Sequence, residues 1–416
     1  MSDMAEKLKE YCTVISGYAF KSKDLSEGTD IQVIKIGNIS NGKNVVMDDL
    51  TQYVNEEFLS VNEKYHIKNG DILISLTGSH MNQPNSMVGR CCRNLDDTIY
   101  LLNQRAGKII PNKSVDKDFL YYVFRLPSIQ YAIANRAYGG ANQVNVSPKD
   151  VMGIKFDIPD ITFQKKIANV LNAYDSLIQN NNKRIHSLEQ MAENLYKEWF
   201  VRFRFPGYED AYFIEDIPSS WSYVQLGDIA SFDRGISYSS DEINCDDGIN
   251  LINLKNIQSY GGFRSDGTKQ YNGKYKETQI VTPGDLILGV TDMTQDRRTV
   301  GSVALIPQIE GISVISADLV KVNLKVPNIY FYCMCRYGFY SKYFSQFANG
   351  ANVLHLKPNV LLNKKLLLPT SELIESFTEK VQPMIDIVDH LNRQNDLLTK
   401  QRDMLLPRLM SGKLEV

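Results

Sequence analysis

Asn69-Gly70-Asp71-Ile72-Leu73-Ile74 and Pro283-Gly284-Asp285-Leu286-Ile287-Leu288 carry one short phrase twice: a glycine turn, an aspartate and an apolar run. Working outward, more pairs appear in the same order. Leu8 to Gly17 (LKEYCTVISG) runs parallel to Leu226 to Gly235 (LGDIASFDRG), and Val33 to Ile39 (VIKIGNI) to Leu251 to Ile257 (LINLKNI). Gly140-Ala141-Asn142 matches Gly350-Ala351-Asn352, and both are followed by two prolines, Pro148 and Pro159 in one copy, Pro358 and Pro369 in the other. The offset stays between 210 and 218 residues, far longer than a solenoid repeat, so one domain-plus-helix unit is duplicated in tandem.

Within each copy the first ~150 residues alternate short apolar runs (VIKI, DILISL, GKII) with turn residues, a pattern of short strands with a few helices. Leu120 to Tyr131 and Tyr330 to Phe347, dense in Tyr and Phe, read as helices packed on that sheet. The period then changes. From Phe163 the apolar positions Ile167, Val170, Leu171, Tyr174, Leu177, Ile178, Ile185, Leu188, Met191, Leu195 and Trp199 fall at spacings dominated by three and four, one helix with one apolar face. Asn180, Asn181 and Asn182 interrupt that face and predict a polar notch or a bend. The second copy repeats the stripe with Leu373, Phe377, Val381, Met384, Ile387, Val388, Leu391, Leu398 and Leu405, and Pro383 inside it predicts a kink. Such long stripes must be buried. Antiparallel pairing of the two helices, with Ile167, Leu171, Ile178, Leu188, Leu195, Trp199, Phe377, Met384, Val388, Leu398, Leu405 and Leu409 at the spacer or partner interface, is favoured over each helix folding back on its own domain.

The expected architecture is therefore α+β, with two similar mixed α/β domains separated by two long antiparallel helices in a coiled-coil-like spacer, a pseudo-twofold repeat. The partition is 1–158, 159–205, 206–368 and 369–416: first domain, first helix, second domain with its lead-in, and second helix.

At 416 residues, 43% apolar and 23% charged, the chain belongs to the soluble globular class. No apolar run reaches the ~18 residues of a membrane helix, and the charged start MSDMAEKLKEYC lacks an export core, so the expectation is cytoplasmic. Cys12, Cys91, Cys92, Cys245, Cys333 and Cys335 form no CxxC pair and read as reduced and buried. Net charge is −2, and basic and acidic side chains balance at 18 each in 1–158 and 15 each in 211–368. Any contact with nucleic acid must be a local patch, or a partner must supply part of the positive field.

Catalytic motifs are missing from the sequence. Gly37 to Lys43 fits GxxxxGK, but Asn44 stands where a magnesium-binding hydroxyl belongs and no helix opening follows. There is no GxGxxG, HExxH, GxSxG or spaced Cys/His set, nor the Asn/Asp-Pro-Pro-aromatic stretch of an amino-methyltransferase, and consecutive acidic pairs such as Asp48-Asp49 diverge on regular structure. No metal site is expected. Patches suited to DNA do occur. Lys269 to Lys276 interleaves cations and aromatics, Arg297-Arg298 follow the second GDLIL strand, and Arg90 and Arg93 follow the first. Because Arg suits guanine, Asn and Gln suit adenine, and Lys, Ser and Thr suit phosphate, the candidate contacts are Lys35, Asn38, Thr77, Ser79, Arg90, Arg93, Asn142, Gln143, Asn253, Lys255, Asn256, Lys274, Thr291, Arg297, Arg298, Asn352 and His355. For each the alternative is an ordinary surface-loop residue, and Asn142 and Asn352 either read bases or shape a turn.

Over essentially its full length the chain resembles the specificity (S) subunits of Type I restriction-modification systems. The resemblance is carried by Phe163 to Leu171 (FQKKIANVL), Trp199 to Gly207 (WFVRFRFPG), Ile217 to Trp221 (IPSSW) and the ending Leu405 to Leu414 (LLPRLMSGKL). The first copy lacks the Pro-x-x-Trp lead-in of Pro218 to Trp221. The resemblance implies two target recognition domains reading an asymmetric, two-part DNA site across a spacer set by the helices. It implies a non-catalytic chain that binds no cofactor. Two methyltransferase subunits would carry S-adenosylmethionine, and restriction subunits would use ATP and magnesium. A specificity subunit of a related split-site system outside Type I, a stand-alone methyltransferase or nuclease, and a duplicated structural protein are the competing readings.

Overall fold

The computed structural model describes residues 6–26, 30–47, 51–80, 88–140, 143–243, 247–293 and 295–414. The chain forms two compact units, Met1–Ile178 with Asp396–Val416, and Gln179–Asn395. The division cuts both long helices, so each unit owns one globular domain and a part of each helix.

In the first unit, a four-stranded antiparallel sheet has the order Cys12–Ser16, Ala106–Pro111, Ile72–Ser75, Cys91–Arg93. A second sheet has the order Gln52–Val54, Ile31–Ile34, Tyr100–Leu102, His66–Ile67, with one parallel pair at its centre. The second unit repeats both. Its sheets run Ala230–Arg234, Leu319–Leu324, Leu286–Gly289, Val303–Leu305, and Lys269–Tyr271, Ile249–Ile252, Ser313–Ile315, Ile280–Val281, again with one parallel central pair. Even the register is kept: Ile72 faces Arg93 in one copy, and Leu286 faces Leu305 in the other. The duplication seen in the sequence is thus a duplication of topology.

The repeated glycine-aspartate phrase has a mechanical reason. Gly70 and Gly284 adopt φ of 79° and 88°, a left-handed conformation that glycine enters without a Cβ clash. The aspartate then closes the turn: Asp71 accepts from the Lys68 amide (2.9 Å) and Asp285 from the Thr282 amide (2.7 Å). Each also pairs with a lysine on the neighbouring strand, Lys108 or Lys321, at 2.7 Å. The apolar run that follows is buried on both faces, which is why it does not alternate with polar residues. Ile72 and Ile74 enter the core beneath the helices while Leu73 enters the core between the sheets, and Leu286, Leu288 and Ile287 divide likewise.

Helices Lys117–Arg125 and Pro127–Ala134 cover the first sheet, and Asn328–Tyr337 and Tyr340–Ser345 cover its counterpart. The long helices are Ile161–Tyr196, extended by a π-turn at Lys197–Val201, and Ser371–Met410. Within the first unit Ile167 and Leu171 share a core with Leu406 and Leu409. Within the second, Tyr196 and Trp199 stack on Phe377, while Asn181 meets Gln394 and Asn395. The pairing is antiparallel in both units. Each helical pair also packs on its own domain, so the two burial modes weighed from the sequence occur together. Leu195, Met384 and Leu405 border these cores, whereas Ile178, Leu188, Val388 and Leu398 are half-buried.

Two local expectations sharpen. The Asn180–Asn182 stretch is a notch: the helix continues through it, and Asn181 is buried, donating to the side chains of Gln394 (2.9 Å) and Asn395 (3.0 Å). Pro383 does not break its helix, which runs through it without interruption. It lies on the exposed side, where water can satisfy the carbonyl that the ring deprives of a donor. Among the described residues no helix is long and apolar enough to cross a membrane. Gly37 lies in a 3-10 turn, Ile36–Asn38, and among the described residues 39–47 no helix follows, so the GxxxxGK match lacks the helix N-terminus of a phosphate-binding frame.

Candidate nucleic-acid interface

In the second unit three polar segments are fastened into one surface. Thr291–Asp292 pairs with Leu354–His355, so the loop after one strand lies beside the Asn349–His355 turn. Asp292 closes the loop by accepting from the amides of Thr299 (2.7 Å) and Val300 (3.2 Å). Gln295 donates to the Ala351 carbonyl (2.8 Å), Arg297 to the Ser345 carbonyl (3.1 Å), and the Tyr260 amide donates to Arg298 (2.9 Å). Arg297 holds φ of 55°, a backbone state a branched or bulky side chain pays to occupy, so tertiary bonds hold it there. Arg298 lies 3.5 Å from Asp296. Asn352 and His355 are exposed on the same turn. Arginine, asparagine, glutamine and histidine on a stapled loop can present directional donors and acceptors to a base edge.

The first unit builds its counterpart from Tyr138–Gly140, Gln143–Asn145 and Thr77–Gly78. Thr77 donates to Asn145 (2.7 Å), and the Val88 amide reaches the Ser79 carbonyl (3.0 Å). Thr77, Ser79 and Thr291 are buried, and Thr291 donates to Asp318 (2.9 Å), so the two threonine hydroxyls brace the loops. Gln143 is exposed; Asn142 lies outside the described residues. Lys35 and Arg90 are half-buried beside the 3-10 turn, Arg90 donating to the Ile36 carbonyl (3.3 Å) and Lys35 to Gln52; burial lowers the pKa of both. Lys255 and Lys274 are exposed on the sheet side.

Besides the buried Thr77, Ser79 and Thr291, four more candidates need correction. Asn38, Asn253 and Asn256 are buried and their amides are spent on backbone: Asn38 on Val46 (2.9 Å), Asn253 on Gly267 (2.7 Å), and Asn256 on Arg264 (2.7 Å). They shape the turn after the strand and do not present an edge to solvent. Arg93 is buried in an ionic network, donating to Asp118 (2.8 Å), Asp175 (3.1 Å) and Asn172, with its guanidinium 4.2 Å from the Tyr121 ring centre. The strand register aims it at the long helix. The sequence reading missed Tyr138, 63% exposed, and Met293, 70% exposed, both on the loop surfaces. A tyrosine just before Gly139-Gly140 is a signal that could have found the first; nothing marks the second. Among the described residues no group of His, Cys, Asp and Glu could hold a metal.

The arrangement is a duplicated α+β domain with polar loops and paired long helices. Residues 2–190 match the Type I restriction modification DNA specificity domain, and the chain is similar to specificity subunits of those systems. It is 27% identical over 330 residues to the Type I restriction enzyme MjaIX specificity subunit of Methanocaldococcus jannaschii, covering 76% of this chain and 73% of that one. It is 22% identical over 417 residues to the MjaVIII specificity subunit of the same organism, covering 93% of each. The crystal structure of a Type I restriction-modification S subunit from M. genitalium shares the fold, with a TM-score of 0.56 at 15% identity over 97% of this chain and 95% of that one.

Proposed function

We propose that this chain is the DNA-reading subunit of a Type I restriction-modification complex, each domain reading one half of an asymmetric two-part site. The observation that carries the reading is the duplicated topology, in which Thr77–Gly78 pairs with Gln143–Asn145 and Thr291–Asp292 with Leu354–His355 at the same place in each copy. Because the two loops differ in sequence, the two half-sites differ. Helices of 36 and 40 residues are ~54 and ~60 Å long at 1.5 Å per residue, and they set an unread spacer of fixed length. The domains are those of the sequence partition, 1–158 and 206–368, with 159–205 and 369–416 as spacer and partner surface. The contacts narrow to Lys35, Arg90, Gln143, Asn142, Lys255, Lys274, Arg297, Arg298, Asn352 and His355.

The chain itself is non-catalytic, cytoplasmic and cofactor-free. Methyltransferase subunits bring S-adenosylmethionine, and restriction subunits bring ATP and magnesium. Reconstitution tests this. The pure chain is expected to transfer no methyl group from S-adenosylmethionine, and to direct site-specific adenine methylation once methyltransferase subunits are added. Turnover by the chain alone, or methylation indifferent to its presence, contradicts the reading.

A further inference from the structure

The two copies differ where domain meets helix, and in the second unit the difference leaves an open cleft. In the first unit that place is filled by charge. Arg93 stacks on Tyr121 and is held by Asp118 and Asp175; Asp175 also accepts from Arg402 (2.5 Å) and Tyr122 (2.7 Å). The strand registers make Leu305 the counterpart of Arg93. The helices Lys117–Arg125 and Asn328–Tyr337 align Tyr121 with Tyr332 and Asp118 with Ile329. On the long helices the matching burial patterns align Asp175 with Ile385. The ring is kept, while the arginine and both of its carboxylates have become aliphatic.

What results, wholly within the second unit, is a cleft of about 520 Å³. Its floor is Leu305, Ile329, Ile385 and the Tyr332 ring. New carboxylates stand at its edge: Asp386, which accepts from the uncharged Gln382 amide (2.7 Å), and Asp389, 3.4 Å from the half-exposed Arg393. Glu189 at the wall is already matched by Arg336 (2.8 Å). Among the lining residues three carboxylates thus face one guanidinium. An apolar floor with an acidic edge suits a side chain that buries a hydrocarbon stem and keeps a cationic head near water, and the sister copy shows a guanidinium in that place.

We propose that this cleft receives an exposed arginine of the methyltransferase partner, supplying from outside the group that Arg93 supplies from within in the first unit. The proposal rests on the functional reading above. An arginine placed from within should compete with one from outside, so Leu305→Arg is the central variant, Leu305→Met the size control, and Asp386→Asn with Asp389→Asn the charge control. Each full-length chain is titrated with the methyltransferase subunit, with stoichiometry read by native mass spectrometry and melting followed in parallel. Leu305→Arg is expected to keep or raise the melting temperature and to weaken one of the partner sites by about tenfold, the scale of a lost interface arginine. The Asn pair should weaken the same site without lowering the melting temperature, and Leu305→Met should bind as wild type. Unchanged assembly by Leu305→Arg or by the Asn pair overturns the proposal, and so does a melting temperature lowered by Leu305→Arg, since the cleft then rejects a guanidinium. Failure of the wild-type chain to assemble with the methyltransferase would instead overturn the functional reading beneath it.

Discussion

Replacing Asp175 by alanine tests how the first domain is held to its helices. The carboxylate receives Arg402 at 2.5 Å, Tyr122 at 2.7 Å and Arg93 at 3.1 Å, and its side chain is 14% exposed. Both arginines are themselves nearly buried, with side chains 5% and 11% exposed. Removing the anion leaves Arg93 with Asp118 and Arg402 with Asp403 as their remaining carboxylates; breaking a buried pair costs about 3 to 5 kcal/mol, and the lower end applies because each arginine keeps one partner. For a unit of this size, at ~2 to 4 °C per kcal/mol, even the lower figure lowers the melting temperature by about 6 to 12 °C. Calorimetry on the full chain should show the shift in one transition, that of the unit built from 1–178 and 396–416. Asp175→Asn, which keeps an acceptor but not the charge, should fall between. A shift below ~1 °C for the alanine variant would refute the claim that this network carries the domain–helix contact.

Other outcomes follow from the same geometry. Arg297→Ala should cost about 1 to 3 kcal/mol of discrimination at one base pair of one half-site if the guanidinium reads a base, as competition binding across single-base variants would reveal; an even loss across all sequences, with a shallower salt dependence, would mark a phosphate contact. Asn181→Leu should raise stability by about 1 kcal/mol, measured by urea unfolding, because its repeat counterpart is the buried Leu391 and its partner Gln394 is exposed and can turn to water; a loss of stability would mean the notch fixes the helix register. Burial pushes the Cys92 and Cys333 thiols up to about 12. Their contribution to stability is therefore complete below the unfolded thiol value of ~8.5 and is lost as pH rises from there toward about 12. Thiol labelling at pH 8 should track unfolding, and fast labelling of Cys92 or Cys333 in the native chain would contradict the burial.

The duplication and the long helices were legible because both are one-dimensional signals. Matched phrases survive at a fixed offset, and a stripe spaced by three and four marks a helix whatever it packs against. The candidate contacts were less legible, because residue type does not say which way a side chain faces. Asn38 and Asn256 suit adenine by chemistry, yet both fold inward to cap the turn after a strand. Arg93 follows the first GDILI strand in sequence, but its strand pairs so that the guanidinium points to the helix. Arg297 is on the loop surface because Asp292, Gln295 and the Asn349–His355 turn hold the loop there, bonds made between residues as much as 56 apart. The difference between the first unit's ionic network and the second unit's cleft appears only after strand register aligns Arg93 with Leu305.

The most direct measurement maps adenine methylation genome-wide after residues 211–368 are replaced by the same region of another specificity subunit. If two readers act independently across a fixed helical spacer, one half of the methylated site changes while the other half and the number of unread base pairs stay as they were. A change in both halves, or in the gap between them, would contradict the account.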